Sequence, residues 1–105
     1  MRIRILDGPI KTTEAQRDYI ERKIGNAASR LSELDFVVDV RLNDLNGPRG
    51  GVDKSVSIVL TPPGLPGIRV EEKAIEYYAA IDAAASTLKH TISRELEKTK
   101  TNGPR

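Results

Sequence analysis

From Arg2 to Leu6 the chain alternates cation and aliphatic residue, with Ile3 and Ile5 on one side, which is the period of two expected of a half-buried strand. Asp7-Gly8-Pro9 ends that run. A helical period follows. It starts near Thr12 or Thr13, where Thr13 and Gln16 have capping-box spacing and Ile10 can pack back over the first turn. Ile20, Ile24, Ala27 and Leu31 then recur on one face as a core stripe, with Tyr19, Lys23, Asn26 and Arg30 beside it. The acids Glu14, Asp18 and Glu21 gather in the N-terminal half, where the helix dipole favours them. Gly25 costs about 1 kcal/mol relative to alanine, a cost that close approach to a sheet would justify.

Alternation returns at Phe36, with Phe36, Val38, Val40 and Leu42 pointing one way and Val37, Asp39 and Arg41 the other. Asn43 to Lys54, rich in glycine around Pro48 and Arg49, reads as a long hairpin connection. Val56, Ile58 and Leu60 define a third strand, the Pro-Gly segment from Thr61 to Gly67 a stiff turn, and Ile68 and Val70 a short fourth strand. The last helix runs from about Glu76 to Lys100, with Tyr78, Ile81, Ala85, Leu88, Ile92 and Leu96 on one face. The order β-α-β-β-β-α predicts an α+β fold: a four-stranded mixed sheet with both helices packed on one face. The other face would hold Arg2, Arg4, Val37, Asp39, Arg41, Ser55, Ser57, Val59, Arg69 and Glu71, and stay largely polar.

At 105 residues this is one domain, assigned to residues 1–100, with 101–105 as a frayed tail. The absence of cysteine excludes disulfides, thiolate metal sites and cysteine nucleophiles, and fits a reducing cytoplasm. The N-terminal apolar run is too short for a signal peptide or a membrane span. Seventeen basic against fifteen acidic side chains leave a net charge of only +2, so any RNA binding has to come from local clustering. With three tyrosines, one phenylalanine and no tryptophan, base stacking is a poor mode of recognition and phosphate contact a better one.

The sharpest functional signal is the gradient along the last helix, from an apolar head at Tyr77-Tyr78-Ala79-Ala80-Ile81 to a tail carrying Lys89, His90, Arg94, Lys98 and Lys100. Such a helix can brace a domain on a sheet and offer its other end to a polyanion such as RNA. At 100° per residue Lys89 and Lys100 lie near the apolar edge, and His90, Arg94 and Lys98 on the outer face. Lys23 and Arg30 of the first helix extend the same surface if their stripe lies beside the last helix rather than away from it.

The element order, and Tyr78-Ala79-Ala80-Ile81-Asp82 followed by Leu88, Ile92 and spaced cations, resembles the ribosome hibernation promoting factor and ribosome-associated inhibitor family in its short, single-domain form. The likeness covers nearly the whole chain; Thr13-Glu14-Ala15, opening a helix with Ile24 and Leu31, fits the family's first strand and helix. The resemblance implies a cytoplasmic, double-stranded-RNA-binding-domain-like module, monomeric off the ribosome. It would sit on the small ribosomal subunit, in the channel used by messenger and transfer RNA, and silence idle ribosomes under stress. Thr87, Glu95, Leu96 and Glu97 thin out the cations relative to the family's usual last helix, and the chain stops soon after that helix, without the second domain of the long members. The loop from Gly47 to Lys54 is longer than in compact short members.

No catalytic role is expected. His90 is the lone histidine, which makes neither a metal site nor a cofactor site without further ligands. Asp82 has no base or nucleophile beside it and reads as a salt-bridge or cap residue, with Ser86 or Lys89 as partners. The Gly-rich loop lacks the Lys-Ser/Thr ending and following helix of a P-loop, which leaves Arg49 and Lys54 free to touch a partner. The alternative to RNA binding is a protein-interaction adaptor for a transcription or stress factor, using the Gly-Pro loops and an exposed strand edge.

Overall fold

The computed structural model describes residues 1–45 and 51–101, with side chains described as far as Thr99. Strands β1 (Arg2–Leu6), β2 (Val37–Asp44), β3 (Lys54–Leu60) and β4 (Ile68–Ala74) form one sheet in the order β1-β2-β3-β4. The β1–β2 pair is parallel and the other two pairs are antiparallel, so the sheet is mixed. Helix α1 (Glu14–Ala27), followed by a 3-10 turn at Ser29–Leu31, connects the parallel pair, and α2 (Tyr77–Thr101) closes the chain. This is the expected β-α-β-β-β-α, α+β architecture.

Local chemistry starts α1 where the capping box lies. The Thr13 hydroxyl accepts from the Gln16 N–H at 3.1 Å while the Gln16 side chain accepts from the Thr13 N–H at 2.9 Å. The α-helix ends four residues before the expected Leu31, yet the 3-10 turn carries Leu31 onward into the core, where it is 2% exposed. At Gly25 an added Cβ would meet only Ile3 Cδ1, at an ordinary 3.9 Å, so close approach to the sheet does not require glycine there. The Glu76 carbonyl accepts from the Ala80 N–H at 3.1 Å and so opens α2.

The core is a single cluster between the sheet and both helices. Val38, Val40 and Leu42 of β2, Val56, Ile58 and Leu60 of β3, and Ile68 and Val70 of β4 meet Ile20 and Ile24 of α1 and Ile81, Leu88 and Ile92 of α2. Two expected core positions of α2 lie at its margins: Tyr78 is exposed, standing at the first turn with its ring against Tyr19 of α1, and Leu96 is only partly buried. Strand β4 is longer than its two aliphatics suggested. Its inward Glu72 is answered by the Thr87 hydroxyl of α2 at 2.7 Å, so an acid is tolerated on the helix-facing side and pairing with β3 continues to Ala74. Ser55, expected on the open face, is fully buried.

Candidate nucleic-acid interface

The two helices lie side by side and parallel, since their contacts ascend together: Tyr19 with Tyr78 and Asp82, then Lys23 with Asp82. Tyr19 meets Tyr78 edge to face, with ring centroids 5.0 Å apart and planes at 80°, a favoured geometry for two quadrupoles. The Tyr19 hydroxyl donates to Asp82 at 2.5 Å, and Lys23 Nζ approaches the same carboxylate at 3.3 Å. The hydrogen bond from Tyr19, supported by Lys23, holds the Asp82 carboxyl below its ordinary pKa and raises that of the Tyr19 phenol. Asp82 is therefore an ionic residue as expected, but its partners are on α1 rather than at Ser86 or Lys89.

Beyond this clip the seam opens into a groove of about 280 Å³ lined by Lys23, Asn26, Asp82, Ser86 and Lys89. Parallel packing has thus set the Lys23 stripe beside the last helix, facing Lys89. Lys23 is half-buried with its charge answered by Asp82, while Lys89 is exposed and makes no ion pair among the described residues.

His90, Arg94 and Lys98 follow one another at intervals of one turn and form a second, separate line; Arg94 stands roughly 140° round the helix from Lys89. His90 and Arg94 are exposed, and Lys98 pairs with Glu95 at 3.4 Å with 61% of its side chain still open to solvent. An exposed pair of this kind contributes at most about 1 kcal/mol and yields readily to another anion. Arg30 is exposed on the 3-10 turn. Lys100 belongs to α2, but its side chain lies outside the described residues. The expected cations therefore do not form one continuous patch. The helix layer brings together Lys23 and Lys89, sets His90, Arg94 and Lys98 on another line, and keeps Arg30 on the turn.

Several cations outside that set are also displayed. Arg22 lies over the Tyr19 ring at 5.1 Å, a cation–π contact with nothing to announce it in the sequence except adjacency to the helix seam. Arg2, Arg4, Arg41 and Arg69 stand exposed on the open sheet face, where the alternation of each strand predicted them. Lys54, by contrast, is not free: it binds Asp44 at 3.0 Å and Asp53 at 3.4 Å, both in the hairpin it closes, and the Asp44 bond raises its pKa. Arg49 lies outside the described residues. Among the described residues no three His, Asp or Glu side chains cluster as metal ligands, and no helix is long and apolar enough to cross a membrane.

A four-stranded mixed sheet backed by two parallel helices, with cations spaced along the last helix, defines the class of this domain. Residues 4–100 match the family described as Sigma 54 modulation protein / S30EA ribosomal protein, and the chain belongs to that family. The crystal structure of the N-terminal domain of Protein Y from Thermus thermophilus is similar to it at 29% sequence identity and a TM-score of 0.67, covering 89% of this chain and 93% of that one. A ribosomal subunit interface protein from Coxiella burnetii superposes with a TM-score of 0.76 over 90% of this chain and 96% of its own, at 17% identity, a likeness of fold. No curated protein matches the sequence significantly.

Proposed function

We propose that this chain is a ribosome-associated translation inhibitor, a cytoplasmic hibernation factor that binds the small ribosomal subunit and sterically blocks the messenger and transfer RNA sites during stress or stationary phase. The observation that carries this reading is the family match, which runs through 97 of the 105 residues (4 to 100) and so takes in α1, β2, β3 and β4 whole and most of β1 and α2. The physics suits a blocking role. One core ties sheet and helices into a rigid body, and such a body excludes ligands by filling their space rather than by chemistry. Lys23, Arg30, Lys89, His90, Arg94, Lys98 and Lys100 are the side chains proposed to meet RNA phosphates, with counterion release supplying affinity. Lys23 would exchange Asp82, and Lys98 would exchange Glu95, for a phosphate.

Charge reversal on the two lines of α2 tests this directly. Lys89→Glu combined with Arg94→Glu alters exposed groups that make no ion pair among the described residues, so the melting temperature should hold while co-sedimentation with small subunits is lost. Retention at the unaltered level would contradict binding through this helix. The family description also includes sigma 54 modulation, which keeps the adaptor reading in play. Capture of a transcription factor that survives RNase, with no ribosomal RNA recovered, would favour that alternative.

A further inference from the structure

The sheet face turned away from the helices carries a cluster of exposed arginines of its own. Its cross-strand register sets Arg4, Asp39, Val59 and Arg69 in one row and Leu6, Arg41, Ser57 and Glu71 in the next. A cavity of about 520 Å³ lies over these rows, with Val59, 41% exposed, at its floor and Leu45, 51% exposed, at one end.

Arg4 grips Asp39 through two bonds of 2.7 and 3.0 Å, which depress the carboxylate pKa and leave Asp39 unable to neutralise a second cation. Arg41 and Arg69 are exposed and make no ion pair among the described residues. The alternation of the strands gives this face Arg2, Arg4, Arg41, Arg69 and Lys73 against the two carboxylates Asp39 and Glu71, and Glu71 is engaged by the Ser57 hydroxyl at 3.4 Å. On the helix side, Lys23 is matched by Asp82 and Lys98 by Glu95. The sheet therefore carries an unpaired positive surface of its own, on the side opposite the exposed Arg30, Lys89 and Arg94 of the helix layer.

Arg41 and Arg69 flank β3 diagonally, two strand spacings and one side-chain repeat apart, so their backbones are roughly 12 Å from each other. Long guanidinium side chains from that separation can converge over Val59 on adjacent anionic groups, and each fork matches a phosphate with two parallel bonds. All the aromatic residues are elsewhere, so this face cannot hold bases by stacking and would meet the sugar–phosphate side of a strand. A peptide adding itself to the sheet would pair along β1 or β4 and leave the central groove unused.

We propose that the open sheet face is a second RNA-contacting surface, with Arg41 and Arg69 holding neighbouring phosphates of one ribosomal RNA strand and its ribose edge resting on Val59. The inference rests on the ribosome-binding reading and deepens it: the domain is held from both sides, helices against one RNA element and sheet against another.

The test compares three proteins on purified small subunits over a salt series: the unaltered chain, the Lys89→Glu, Arg94→Glu variant, and an Arg41→Ala, Arg69→Ala variant whose melting temperature is checked. Loss of two phosphate contacts should weaken binding by about tenfold or more and reduce the log–log salt slope by about 1.5. A photo-crosslinking amino acid in place of Val59 should attach to ribosomal RNA. Affinity within twofold of the unaltered chain with an unchanged slope, or cross-links to ribosomal protein alone, would overturn the proposal while leaving the helix-based reading intact. Failure of the unaltered chain to bind small subunits would sink both.

Discussion

Tyr19, Lys23 and Asp82 form the contact that fixes how the helices share a surface. Asp82 gains a hydroxyl donor at 2.5 Å and a cation at 3.3 Å, which is why its carboxyl titrates below the usual range. The linkage is signed: a depressed carboxyl pKa adds stability at pH values above its unfolded value, near 4, and that stability fades as pH falls through the folded pKa. For Tyr19 the raised pKa gives a contribution that is complete below about pH 10 and is lost as pH rises through the folded value. Tyr19→Phe should move the Asp82 pKa upward, toward an ordinary aspartate, in a carboxyl-resolved NMR titration. An unmoved Asp82 would show that the neighbouring cations Lys23 and Arg22 set it without the hydroxyl. Sequence identified Asp82 as ionic but not its partners, because within one helix Ser86 and Lys89 are the neighbours in reach, whereas Tyr19 becomes a neighbour only through tertiary packing.

At the scale of elements, the features that the sequence disclosed are those whose cause is local. The capping box needs two residues three positions apart, and Thr13 and Gln16 form it; the inward alternation of β2 needs no partner to be read from Phe36 to Leu42. Features that depend on another element were obscured. Strand β4 keeps an acid on its helix-facing side because Thr87 answers it, and Ser55 is buried although its parity assigned it to solvent. Gly25 belongs here too. With only Ile3 Cδ1 at 3.9 Å from a would-be Cβ, its flexibility is a cost without a steric return. Gly25→Ala should raise stability by about 0.5–1 kcal/mol in denaturant unfolding. Destabilisation would mean that the helix packs more tightly against β1 than this contact implies.

For the whole molecule, the distribution of charge matters more than its sum. A net charge of +2 conceals a helix layer in which cations are partly matched by acids and a sheet face where arginines outnumber them. The cations on α2 were legible as spaced residues on a helix. Their division into a groove line and an outer line follows from the placement of α1 beside Asp82 and Lys89, which only the packed structure supplies. The sheet arginines were legible as outward residues, but the cavity over Val59 arises from the register and twist of four strands together.

The central claim is that this domain holds the small ribosomal subunit through phosphate neutralisation, and the salt dependence of that binding tests it most directly. With about five of the proposed cations engaging phosphates at once, the logarithm of the association constant should fall against the logarithm of salt concentration with a slope of order −4. Binding that persists unchanged from low to high salt would contradict it.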